Sequence, residues 1–122
     1  MHTVAVFGAG MIGETILAGL LRAGWPAEKL LATERREDRA AELASRYGIR
    51  IVENEVAVAE ADVLTIAVKP QDAATLMAEL GPLVPAHKLV ISICAGLPTS
   101  FFAKWLPENT PVVRGNRLKI AS

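Results

Sequence analysis

Residues 4–24 read "VAVFGAGMIGETILAGLLRAG": an apolar run, glycines at 8, 10 and 13, then a longer run of helical character. "TVAVF" (3–7) has the unbroken hydrophobicity of a strand buried on both faces. Behind the glycines, Ile12, Ile16, Leu17, Leu20 and Leu21 recur at three- to four-residue spacing, and Gly24 with Pro26 stops the pattern. A strand that feeds a helix through a glycine turn opens a βαβ unit.

The rest of the chain repeats that alternation. Strands are predicted at "KLLAT" (29–33), "IRIV" (49–52), "DVLTIAV" (62–68), "KLVISIC" (88–94) and "PVVR" (111–114). Helices are predicted from Glu37 to Tyr47 with Gly48 as the stop, over "EVAVAEA", from Pro70 through Leu80 with Gly81-Pro82 as the stop, and from Pro98 to Trp105. Strands and helices in this order give right-handed crossovers and a parallel sheet. The expected fold class is therefore α/β: a Rossmann-like, doubly wound parallel sheet in three layers, α/β/α.

The glycines have separate tasks. A helix N-terminus presents unpaired N–H groups and a positive dipole end, which suit a phosphate. Gly8 permits the turn out of the strand, Gly10 keeps a side chain away from the phosphates, and Gly13 lets helix and strand approach. Glu34 follows the second predicted strand, 21 residues beyond Gly13, at the spacing of an acid that binds a dinucleotide's ribose. Arg35 and Arg36 stand beside it. A carboxylate there suits the 2′-hydroxyl of NAD(H), and a guanidinium the 2′-phosphate of NADP(H). We expect NADP(H), with NAD(H) as the alternative.

Charge narrows the partners. Thirteen basic and thirteen acidic residues leave no net charge, so the basic excess of a nucleic-acid binder is absent. No apolar stretch approaches the ~20 residues of a membrane helix, and no charged leader precedes the first strand. Cys94 is the only cysteine, which excludes an internal disulfide and fits a reducing compartment. The expected location is cytoplasmic, with neither nucleic acid nor membrane as partner. Hydrophobic residues make up 52% of the chain and aromatics 5%, so the core must come from aliphatic side chains.

Four segments together resemble the N-terminal domain of pyrroline-5-carboxylate reductase: "FGAGMIGETILAGLLRAG" (7–24), "ADVLTIAVKPQD" (61–72), "KLVISICAGLP" (88–98) and "PVVR" (111–114). "AVKP" joined to "SICAG" is the most specific part, since many dehydrogenases share the glycine loop. The resemblance implies that Gly8 to Gly13, with Met11 and Ile12, hold the pyrophosphate and that Arg35 faces the 2′-phosphate. It places Asn54 near the adenine ribose. Ala67, Val68, Lys69 and Pro70 would line the nicotinamide half, with Ala95 and Gly96 beside the ring. The implied reaction is hydride transfer to the C=N bond of 1-pyrroline-5-carboxylate, a small-molecule imine, giving L-proline.

The same resemblance implies a NAD(P)-binding domain over residues 1–114. "GNRLKIAS" (115–122) does not match the family, whose helical dimerisation and substrate domain would be absent. Full-length members are homo-oligomeric, while the state of this chain is left open. No catalytic residue and no metal ligand is assigned, and the chain alone is expected to bind cofactor with little turnover. The alternatives are another imine or hydroxyacid reductase with the same nucleotide domain, or a non-enzymatic dinucleotide-binding module. Gly13 argues against a methyl-donor sensor. Cys94 stands where the family commonly has alanine and reads as a small hydrophobe. Lys69 reads as a contact, Phe101, Phe102 and Trp105 as core, and Asp38, Arg39, Glu42 and Arg46 as a solvated helix face.

Overall fold

A computed structural model describes residues 2–94 and 96–114. Six strands form one parallel sheet: β1 (Val4–Phe7), β2 (Leu30–Thr33), β3 (Arg50–Ile51), β4 (Val63–Ile66), β5 (Leu89–Ser92) and β6 (Val112–Arg114). Their spatial order is β3-β2-β1-β4-β5-β6. The order reverses direction between β1 and β4, which creates the switch-point crevice at the carboxyl ends of the strands. Five helices connect them: α1 (Met11–Arg22), α2 (Glu37–Tyr47), α3 (Asn54–Glu60), α4 (Ala73–Leu80) and α5 (Thr99–Ala103). The expected three-layer, doubly wound fold is the one observed.

Strand alternation divides the core. In β1, Ala5 and Phe7 pack with α3, α4 and α5 residues including Val58, Met77 and Phe102. Val4 and Val6 face the other way, with Leu17 of α1 and Leu43 of α2. All four β1 side chains are buried, as an all-apolar strand between two helical layers requires. Burying residues such as Leu17 or Leu43, both 0% exposed, stabilises the fold by about 1.5–3 kcal/mol each.

Several boundaries differ from the predicted ones. Lys29 belongs to a 3₁₀ turn, Ala27–Lys29, rather than to β2. The segment after β4 begins with a 3₁₀ turn, Pro70–Asp72, before α4 starts at Ala73. Gly81-Pro82 does not stop the chain abruptly: a further 3₁₀ turn, Gly81–Leu83, continues from α4. Both prolines sit at the first or second position of their turns, where the missing N–H costs nothing. α2 keeps its predicted bounds, and Gly48 closes it at φ +70°, its N–H donating to Ala44 O at 2.9 Å.

Asp38, Glu42 and Arg46 are exposed, as expected of a solvated face, but Arg39 is largely buried. Arg39 Nη2 and Arg46 Nη1 each donate to Glu14 of α1 at 2.5 Å, and the Tyr47 hydroxyl donates to the same carboxylate. Arg39 is 17% exposed and Glu14 18%. The hydrogen bond from Tyr47, then those from Arg39 and Arg46, hold the Glu14 carboxyl down to about 2, against partial desolvation. Helical spacing shows that these side chains leave the core face; it does not show that α1 brings them a counter-charge.

Candidate cofactor site

The site begins where β1 ends. Gly8 takes φ +84°, and a Cβ there would lie 2.4 Å from Val68 Cγ1, so glycine is required both for the backbone and for the close approach. Its N–H donates to Thr33 Oγ1 at 3.3 Å, and Ala9 N–H donates to Thr33 O at 3.2 Å. Ala67 N–H donates to Phe7 O at 2.9 Å. The carboxyl ends of β2, β1 and β4 are thereby tied into one rim.

Above the rim, α1 starts without a side-chain cap at Gly10. The first-turn N–H groups of Met11, Ile12 and Gly13 have no partner within the helix. Nothing lies within 4 Å of the position a Gly10 Cβ would take. Gly13, in contrast, is buried, and its Cβ would meet Gly8 O at 2.8 Å and Val6 Cγ1 at 3.3 Å. One glycine leaves room above the helix end; the other closes the gap beneath it.

Beside this turn a cleft of about 1120 Å³ runs past Gly8, Thr33, Glu34, Arg35, Asn54 and Val68 to Asp72, Thr75, Leu76 and Glu79. Five of the predicted residues therefore share one cleft: Gly8, Glu34, Arg35, Asn54 and Val68. Glu34 Oε1 accepts from Arg36 N–H at 3.3 Å and from Arg36 Nε at 3.2 Å. Arg35 forms no ion pair among the described residues and lines the cleft. Asn54 Nδ2 donates to Glu79 Oε2.

Other predicted residues lie outside that cleft. Met11 and Ile12 flank the helix end, 85% and 57% exposed. Met11 also edges a separate groove of about 300 Å³ with Thr15, Ala18 and Tyr47. Ala67 packs into the α1/α2 core, while the next residue, Val68, packs on the α3/α4 side. Lys69 and Pro70 are exposed just beyond the rim. Gly96 is exposed at φ +81°, and Ala95 lies outside the described residues, as does "GNRLKIAS".

Cys94 is buried, its thiol bonded to Val68 O at 3.2 Å and its N–H to Ser92 Oγ at 3.2 Å. Burial pushes this thiol above its ordinary range, the opposite of what a nucleophile needs. Among the described residues no group of three or more His, Cys, Asp or Glu could hold a metal, and no helix is long and apolar enough to cross a membrane.

Sequence reasoning missed Thr33, Thr75 and Glu79. Thr33 was readable, since the last residue of a strand in this fold faces the switch point. Thr75 and Glu79 lie four apart on α4, beside its apolar face of Ala73, Leu76, Met77 and Leu80.

The family described as "NADP oxidoreductase coenzyme F420-dependent" matches residues 3–96. The chain belongs to that family. Among curated relatives, pyrroline-5-carboxylate reductase of Mycobacterium tuberculosis is 37% identical over 120 residues, covering 93% of this chain and 41% of the relative. The enzyme of the same name from Pseudomonas aeruginosa is 36% identical over 112 residues, covering 91% and 41%. The solved pyrroline-5-carboxylate reductase of Coxiella burnetii matches at TM-score 0.86 and 27% identity, over 93% of this chain and 43% of its own. The Plasmodium falciparum pyrroline carboxylate reductase, solved with NADP bound, shares the fold at TM-score 0.79 and 22% identity, over 93% and 41%. This member of the family spans about two-fifths of the length of those relatives, and the resemblance read from "AVKP" and "SICAG" is borne out.

Proposed function

We propose that this chain binds NADP(H) and supplies the cofactor half of a reductase that converts 1-pyrroline-5-carboxylate to L-proline. The observation that carries the cofactor reading is the uncapped start of α1 at the switch point, with open space over Gly10. Three N–H groups and the helix dipole converge there, at an end that suits a pyrophosphate. The substrate reading rests on the relatives, whose shared name is that of the imine reductase.

Each residue then has a role. Met11, Ile12 and Gly13 donate backbone N–H groups to phosphate oxygens. Arg35 meets the 2′-phosphate, because the Glu34 carboxylate is occupied by Arg36. Asn54 stands by the adenine ribose. Ala67, Val68, Lys69 and Pro70 line the nicotinamide half, and Ala95 and Gly96 are assigned to the same ring. When bound, the nicotinamide supplies a hydride to the C=N carbon of a small-molecule imine. The protein's part is orientation and exclusion of water, which is where proximity lowers the barrier. Residues 1–114 make up this cofactor unit, and a neutral chain with a single cysteine suits the cytoplasm.

Thermal denaturation with NADPH, NADH and S-adenosylmethionine tests the reading. NADPH raises the midpoint most, NADH less, and the methyl donor not at all. A rise with S-adenosylmethionine alone overturns it.

A further inference from the structure

Asn54, the first residue of α3, and Glu79, in the last turn of α4, both line the cleft. Asn54 Nδ2 donates to Glu79 Oε2. That bond orients the amide: its NH₂ group must meet the carboxylate, which leaves Oδ1 as an acceptor on the other side. Glu79 Oε1 makes no hydrogen bond among the described residues. The same cleft is also lined by the apolar side chains of Val52 and Leu76. Apolar side chains beside a carboxylate oxygen suit an aromatic base with an exocyclic amino group.

The direction follows from the dinucleotide reading above, on which this inference rests. With the pyrophosphate at Gly10 and the 2′-position at Arg35, the base continues along the cleft toward Asn54 and Glu79. We propose that Glu79 reads the adenine: Oε1 accepts a hydrogen bond from the 6-amino group, while Asn54 Oδ1 accepts from a ribose hydroxyl. Glu79 is then a specificity-determining residue. An ionised carboxylate has only acceptors, so it rejects a base with a 6-oxo group, which also has only acceptors at that position.

The test compares NADPH with reduced nicotinamide hypoxanthine dinucleotide phosphate, in which a 6-oxo group replaces the 6-amino group. Dissociation constants are measured by calorimetry for the wild-type chain and for Glu79→Gln. Glu79 is exposed, so the variant keeps its unliganded melting midpoint, and that midpoint is recorded alongside. The wild type prefers NADPH by about tenfold, the scale of one charge-assisted hydrogen bond. Glu79→Gln, which can donate to a 6-oxo group, brings the ratio to about one. Equal affinities in the wild type, or an unchanged ratio in the variant, overturn the role of Glu79 while leaving the cofactor site intact. If the wild type binds neither dinucleotide, the cofactor reading falls, and this inference with it.

Discussion

Gly13 faces the carbonyl of Gly8 so closely that a Cβ on Gly13 would lie 2.8 Å from that oxygen. The contact joins the first turn of α1 to the end of β1, and the helix can hold its N-terminus over the sheet edge only while position 13 lacks a side chain. Replacing Gly13 by Ala gains about 1 kcal/mol in helix propensity. Overpacking costs about 1–3 kcal/mol. Because the opposing atom is backbone, the cost prevails: Gly13→Ala should lose up to about 2 kcal/mol, read as a lower urea midpoint. A midpoint equal to or above the wild type would show that helix and strand are not in this contact.

Glu14 gives a pH signature. Its carboxyl lies at about 2 in the folded chain against an ordinary 4.5, through Tyr47, Arg39 and Arg46. A depressed acid contributes stability above its unfolded value and loses it as pH falls through the folded one. The stability difference between wild type and Glu14→Gln should therefore be full at pH 7, begin to shrink near pH 4.5 and be almost gone by about pH 2. Urea titrations of both proteins across that range measure it. Working with the difference removes Glu60 and Asp62, which are also lowered.

Lys88 is 5% exposed, and its Nζ donates to Ala61 O at 2.6 Å and to Ala59 O at 3.4 Å. It places a cation at the carboxyl end of α3, where the helix dipole is negative. Lys88→Met keeps the length and leaves both carbonyls without this donor. The expected loss is about 1.5–3 kcal/mol, measured by chemical denaturation at neutral pH. An unchanged stability would mean that the ammonium contributes nothing net at this position.

The two arginines after β2 are predicted to act in opposite directions. Arg35→Ala should weaken NADPH by about tenfold or more and leave NADH nearly unchanged, since only the 2′-phosphate loses a charge-assisted partner. Arg36→Ala releases Glu34, which Arg36 now engages, and should improve NADH relative to NADPH. Competition binding with both cofactors separates the two effects. Equal losses for NADPH and NADH in Arg35→Ala would remove the guanidinium from the 2′-phosphate.

Much of this was legible in the sequence. The alternation of strands and helices, the glycine turn and α2 follow from periodicity and from Gly8, Gly13 and Gly48, because those signals are local. The acid and arginines after β2 were also visible, as residues at a fixed chain distance. The Arg36–Glu34 pairing was not, because side chains two residues apart choose partners by rotamer rather than by spacing. Lys88 read only as the first residue of a predicted strand; the fold brings it against the end of α3. The counter-charges of Glu14 lie 25 and 32 residues away, and a helical wheel treats α1 and α2 separately. Ala67 was expected to line the site with Val68, yet adjacent strand residues face opposite layers, leaving its backbone as its available contribution.

The central claim is that a cofactor pyrophosphate sits on the start of α1 over Gly10. Apart from its chain neighbours, a Cβ at Gly10 would meet no described atom within 4 Å, so Gly10→Ala should keep the unliganded melting midpoint while occupying the space assigned to the phosphates. Calorimetric titration of NADPH into the wild type and Gly10→Ala, at equal salt, is the most direct measurement. The prediction is one-to-one binding by the wild type and an affinity lower by tenfold or more in the variant, ~1.4 kcal/mol at the least. Equal affinity in the two proteins, or no binding by the wild type, would contradict it.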